Sequence, residues 1–385
     1  MKYKITVIVP IFGEGLINIA RDAVNSALLQ SGNYACELIV SNNGGNEKIR
    51  NFFTSDDYKD KVKYIEPISY LSMSKHFEWA SKFAAGEYMM ILPPRRMLKQ
   101  GAFIKLIETM DLNEDCEICC GCFEEWVEES GRLFLSRSSS VEGVIGTNLL
   151  IDKFLCGSYS SRGEFWSTHP TSMNGVVRTR FVNDLRKKYS SSYFGEMFPD
   201  VSSGFKALLN SRNIYLISSP IFVITNRSVS TGNKQIMSFN HEYFNELGDA
   251  GKYRHLPKNL ADSVYCGVIE DFNRQKNEWI LINSSDNKSL EISPFFLKEA
   301  AFEYFLKLFN NPLNLTNLKR VWMAVQTFNQ MGISYFDIFR KFIIGAVATI
   351  YLHSPKTLKK TLLVLRGKSI KYKNVYVAAG FHRET

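Results

Sequence analysis

The chain has 385 residues, 45% of them apolar and 22% charged, and its formal net charge is +9. This length suits two domains, and this apolar share excludes a disordered chain. The positive excess is compatible with a solvated surface, an anionic ligand or an anionic membrane surface.

At the N-terminus, MKYKITVIVP has too short an apolar run for a secretory signal, and no small-residue cleavage site follows it. KITVIVPIF is instead a β-branched run ended by proline, which predicts a buried strand. Ile17 to Gln30 has apolar spacing near three and four, a helix. ACELIVSNNGG predicts a second strand stopped by turn residues, and KVKYIEPI a short third. MSKHFEWASKFAAG predicts a helix whose last glycine serves as C-cap. EYMMILPP predicts a fourth strand, running through PPRR into the helix that starts near Ala102. Such alternation means a mostly parallel sheet covered by helices, with ligands at the carboxyl ends of the strands.

CEICCGC, from Cys116 to Cys122, carries four of the seven cysteines. Four thiols packed so closely, with no second pair elsewhere, do not make the usual tetrahedral zinc arrangement, so they predict a strand of small buried side chains. The odd total points to a reducing compartment. Short strands, a Ser/Gly-rich stretch and a few helices continue to about Thr231. Beyond residue 235 the pattern is helical, apart from NEWILIN, which has strand character. These features place a boundary at 235: residues 1–235 as an α/β domain and 236–385 as a helical region. The longest late apolar run, Phe342 to Leu352, is shorter than the ~20 residues that span a bilayer. SPKTLKKTLLVLRGKSIKYK, from Ser354, is basic and amphipathic, which fits a membrane surface, and equally fits packing onto the first domain or a dimer partner.

Taken in order, VIVPIFGEG, AVNSALLQS, IVSNNGGN and ASKFAAGEYMMIL resemble the opening motifs of the family 2 glycosyltransferases. The likeness covers about residues 4 to 105 and continues faintly through FPDVSSG. It implies the GT-A fold, a Rossmann-like nucleotide-sugar-binding domain, and an inverting transfer in which a carboxylate deprotonates the acceptor. The donor site it implies draws on Pro10, Phe12, Glu14, Asn42, Asn43, Lys75, Arg95 and Arg96. The base falls on Asp200, with Glu196 in reserve; an N-cap role for Asp200 is the alternative. His169 and Arg178 fall where the acceptor is expected, although a lone His-Pro is commonly structural.

Two departures from the family's pattern matter. Its Asp-x-Asp metal motif is replaced by Pro93, Pro94, Arg95 and Arg96, which supply no oxygen ligand, so no divalent metal or other cofactor is expected and guanidinium groups take over the leaving phosphate. Its Asp-Asp-Gly-Ser is replaced by Asn42, Asn43, Gly44 and Gly45. Asparagine donates as well as accepts, which suits cytosine, so a CMP-linked acidic keto-sugar explains both changes. A metal-free UDP- or dTDP-sugar remains equally open.

The expected partners are a nucleotide-sugar donor, an oligosaccharide or lipid-linked glycan acceptor, a peripheral membrane contact through the C-terminal helices, and a second copy of the chain. No nucleic-acid recognition motif is visible. The expectation is a metal-independent transferase of bacterial surface polysaccharide synthesis, capsule or lipopolysaccharide, in the cytoplasm or at the inner face of the membrane. The rivals are an inactive relative serving as a scaffold subunit and a nucleotidyltransferase, for which the required carboxylates are missing at the strand ends.

Overall fold

The computed structural model describes residues 3–30, 34–127, 131–135, 141–160, 162–189, 192–225, 239, 247, 251–261, 263–283, 293–311, 314–353, 369–371 and 379. The chain divides into two compact units. One comprises Met1–Leu150, Ser161–Asn226 and Ser369–Thr385; the other comprises Ile151–Ser160 and Arg227–Lys368.

The first unit is built on a sheet whose first half is parallel. Strand β1 (Tyr3–Phe12) pairs in parallel with β2 (Cys36–Asn43) on one side and β4 (Gly86–Ile91) on the other, and β3 (Lys63–Ile65) extends β2. The order β3-β2-β1-β4 places a topological switch point at β1, and β1 and β2 end in register, Phe12 opposite Asn43. Antiparallel strands continue the sheet: β9 (Gly175–Arg178) on β4, β6 (Cys116–Val127) on β9, β7 (Arg132–Leu135) on β6 and β11 (Ser369–Lys371) on β7. A further strand, β10 (Asn213–Ile224), lies parallel to β6 and antiparallel to both β5 (Arg96–Leu98) and β8 (Gly143–Gly146).

Strand β1 is buried on both faces, which is why its sequence is a continuous apolar run rather than an alternating one. Ile5, Val7, Val9 and Ile11 share a core with Ala20, Ala23, Val24 and Ala27 of helix α1 (Ile17–Leu28) and with Phe103, Leu106, Ile107 and Met110 of α4 (Ala102–Leu112). Two shorter helices follow β2 and β3: α2 (Glu47–Phe53), capped by Asn46, and α3 (Met73–Ser81). Gly86 does not cap α3, which ends five residues earlier at Ser81. It opens β4, where a Cβ would lie 2.6 Å from the Thr6 amide nitrogen and Thr6 Oγ1 accepts the Gly86 amide at 2.8 Å. The cysteines of β6 are buried thiols, and burial, with the nearby Asp115 carboxylate, pushes Cys116 up to about 11.

Helices α5 (Thr147–Cys156), α6 (Arg162–Thr168), α7 (Thr179–Tyr189) and α8 (Pro199–Asn210) complete the central part of the chain. The second unit is helical: α9 (Val264–Asn283), α10 (Pro294–Asn310), α11 (Leu315–Gln330) and α12 (Tyr335–His353). NEWILIN is the last part of α9, not a strand. Earlier in the same helix Glu270 and Asp271 are fully buried, and Glu270 accepts the backbone amides of Arg254, His255 and Leu256, which ties polar groups into the packed helix. Likewise Glu303 of α10 accepts Val264 N at 3.0 Å and Lys307 Nζ at 2.8 Å, so one buried carboxylate caps α9 and neutralises a buried lysine. No described helix is long and apolar enough to cross a membrane. The basic stretch from Ser354 lies, except for Ser369–Lys371, outside the described residues.

Candidate active site

The site begins at the turn after β4. Arg96 N donates to Pro93 O at 2.9 Å, which closes a four-residue turn with Pro94 in its second position. Proline's fixed φ suits that position and explains the prolines. The turn reverses the chain, so that Arg96 enters β5 opposite Ile224 of β10 while Arg95 stays at the bend. Thr225 ties the bend down, its amide donating to Arg95 O at 2.7 Å.

The two arginines therefore differ. Arg96 is 8% exposed, its guanidinium lies over the rings of Phe123 and Phe222 at 5.9 and 5.8 Å, and it donates to Met173 O. Arg95 is half-buried. Both place positive charge on Asp200, which sits one residue after Pro199 in the first turn of α8. Phe198, not Asp200, is the N-cap residue. Burial raises the Asp200 carboxyl above the ordinary carboxylate range; the Arg96 charge, the amides of Asp200 and Val201, and the Arg95 charge pull it back. A half-buried carboxylate beside two cations can accept a proton from a bound hydroxyl.

The segment leading into α8 is fastened by residues that sequence reading passed over. Glu78 of α3 accepts Arg186 Nε at 2.7 Å, Ser192 Oγ at 2.9 Å and the Tyr193 amide at 2.9 Å. Ser74 Oγ donates to Glu196 O at 3.0 Å, which leaves the Glu196 side chain exposed. Nothing in the local pattern of MSKHFEWAS marks Glu78, because its partners lie more than 100 residues away.

His169 is buried under the same helix. Its ring stacks on Phe165, its Nε2 lies 3.2 Å from Val201 O, and a Cβ on Gly204 would meet that nitrogen at 2.5 Å. Burial pushes its pKa down to about 4, so it is neutral and donates to the carbonyl. His169 is thus packed against the first turn of α8, the turn that carries Asp200. Arg178 lies at the opposite end of the sheet. It pairs with Tyr88 near the start of β4, is buried, and donates to Cys116 O at 3.0 Å and Met110 O at 2.7 Å. Its charge satisfies backbone carbonyls far from the carboxyl ends of the strands.

The expected base-reading residues are also committed internally. Asn43 Nδ2 donates to Leu71 O at 2.7 Å and its Oδ1 accepts Leu71 N at 3.0 Å, so the side chain pairs with backbone as a strand would. Asn42 Nδ2 donates to Asn46 O at 2.9 Å and to Tyr64 OH at 2.7 Å. Both amide NH2 groups that a cytosine preference requires are therefore occupied by protein atoms. Asn42 Oδ1 is a buried acceptor without a protein partner. Tyr64 in turn donates to Glu66, which Arg50 Nη2 grips at 2.5 Å, a polar network behind the end of β2. Gly44 and Gly45 follow with φ of 97° and 63°, a pair of left-handed positions that explains the double glycine.

Pro10 is buried in β1, Phe12 is exposed at its end and Lys75 is exposed on α3. Glu14 lies in a short 3-10 turn, and its side chain is outside the described residues. His76, beside Lys75, is a further buried group at the strand ends, with its Nε2 2.7 Å from Ser41 Oγ; burial pushes it down to about 4. Among the described residues no three His, Cys, Asp or Glu side chains converge as metal ligands.

No protein-family profile and no curated protein matches this chain. Among solved structures, S. aureus TarS 1–349 aligns with a TM-score of 0.46 and 14% identity over 86% of this chain and 93% of that one. The same protein in complex with UDP-GlcNAc aligns with a TM-score of 0.46 and 13% identity over the same shares. A longer S. aureus TarS structure aligns with a TM-score of 0.44 and 15% identity, over 90% of this chain but 55% of that one. The α/β sheet with its switch point at β1, followed by a helical unit, is the architecture expected from the sequence.

Proposed function

We propose that this protein transfers a sugar from a nucleotide-sugar donor to a glycan hydroxyl, with inversion at the anomeric carbon. One observation carries the reading: a half-buried carboxylate, Asp200, feels the charges of both Arg95 and Arg96, the two arginines of the turn that follows a central parallel strand. Asp200 takes the proton of the acceptor hydroxyl as its oxygen attacks the anomeric carbon. The bond from that carbon to the phosphate oxygen breaks with its electron pair, and the nucleotide leaves carrying the charge. Arg95, at the bend, meets that charge directly. Arg96, held against Phe123 and Phe222, supplies fixed positive potential to the phosphate and draws the Asp200 carboxyl back toward its ionised form. Pro93, Pro94, Arg95 and Arg96 present no oxygen-bearing side chain, so a hard-cation site does not fit this turn and no step is routed through a metal.

The test is release of nucleotide from a panel of UDP-, dTDP-, GDP- and CMP-sugars by the full chain in EDTA, with a glycan acceptor present. One donor turns over, and Asp200→Asn lowers the rate by roughly 10²–10⁴-fold while nucleotide still raises the melting temperature. Normal turnover in Asp200→Asn overturns the assignment of the base. Nucleotide binding without turnover of any donor points to an inactive binding relative instead.

A further inference from the structure

The second unit carries an apolar surface that the catalytic reading does not use. Helix α11 packs with Val321, Ala324 and Phe328, and Phe328 meets Tyr304 of α10 at 5.9 Å. A second row on α11 at the same spacing, Leu315, Leu318 and Trp322, is exposed, with Leu315 at 82% and Trp322 at 59%. Helix α12 repeats the arrangement. Ile338 and Phe342 turn inward, Phe342 meeting Phe305 of α10 at 5.2 Å. Phe336, Phe339 and Ile343 form an exposed row, at 75%, 60% and 49%. Two rows of large apolar side chains at i, i+3 and i+7 exceed the scattered exposure ordinary for a surface.

Charge identifies what covers them. On α11 and α12 themselves, from Leu315 to His353, the basic residues are Lys319, Arg320, Arg340 and Lys341, against a single acidic residue, Asp337. A second copy of this chain would oppose these basic helices to each other, which costs energy. An anionic bilayer offers the complementary pair: negative headgroups for the lysines and arginines, and an acyl boundary for Trp322, Phe336 and Phe339.

We infer that the exposed rows of α11 and α12 seat this unit on an anionic phospholipid surface, lying in the interface without crossing it. The inference is independent of the transfer reaction, because lipid binding is read without a donor.

The experiment is co-sedimentation of the full chain with vesicles of phosphatidylcholine alone and with added phosphatidylglycerol. Binding appears with the anionic vesicles, weakens as salt rises, and falls by about tenfold or more in the double variant Phe336→Gln/Phe339→Gln. Both side chains are largely exposed, so the variant keeps its melting temperature; Leu318→Gln/Trp322→Gln provides a second, separate probe. Failure to bind anionic vesicles overturns the inference, as does equal binding by both variants and the parent. An oligomer that falls to monomer in the variants, with no vesicle binding by the parent, assigns the face to a second copy.

Discussion

Adjacent arginines at one turn make a sharp pair of opposite expectations. Arg96→Ala removes the donor to Met173 O, which costs about 1–3 kcal/mol for a buried carbonyl left unpaired. It also removes the guanidinium between Phe123 and Phe222, worth about 0.5–2 kcal/mol. The sum is about 1.5–5 kcal/mol, and a domain of this size loses roughly 2–4 °C in melting temperature per kcal/mol. Asp200 loses a stabilising charge in the same variant, so its pKa rises further and the acidic limb of the rate profile moves to higher pH. Arg95→Ala behaves differently. Its side chain is half-buried at a bend, and stability stays within about 0.5 kcal/mol of the parent. Turnover falls by roughly 10- to 150-fold, the value of one charge-assisted hydrogen bond of about 1.5–3 kcal/mol. Thermal denaturation and initial rates over a pH series read both effects. Unchanged turnover in Arg95→Ala, or unchanged stability in Arg96→Ala, refutes the division of roles.

Glu78→Gln keeps an acceptor but weakens the hold on Arg186, Ser192 and Tyr193; kcat drops about tenfold with donor KM unchanged, and a proportional rise in KM speaks against a positioning role. His76 and His169 are both held near 4 in the fold against an unfolded value of 6.5, so the unfolded chain binds the extra protons between those values. Their contribution is complete above pH 6.5 and is lost as pH falls toward 4, about 3 kcal/mol each at the limit; a urea midpoint that stays level across this window contradicts their neutral burial. With both asparagine NH2 groups occupied and Asn42 Oδ1 the remaining acceptor, UMP binds at least as tightly as CMP in calorimetry, and Asn42→Ala weakens UMP; a clear preference for CMP would restore the cytidine reading.

The sequence alone determined the parallel half of the sheet. Strands β1, β2 and β4 are covered on both faces, and continuous β-branched or apolar runs bounded by turn residues are what such burial demands. It also determined that the turn after β4 carries cations where oxygen ligands were expected, since that is a matter of residue identity. The tertiary structure decided what each of those residues does. Arg95 and Arg96 are neighbours in the chain, but a turn closed by Pro93 sends one to the bend and the other between two aromatic rings. Asn42 and Asn43 read as free amides until Asn46, Tyr64 and Leu71 are brought against them. Glu78 looks ordinary in its own segment and His169 reads as an acceptor residue, and their contacts arise only because the fold delivers Tyr193 and Val201 to them. NEWILIN is ambiguous for a related reason: a short apolar run fits helix or strand, and here it continues the long helix that begins at Val264. Periodicity is a local property of the chain, whereas the hydrogen bonds and charges that assign a chemical role form between residues that only folding makes neighbours.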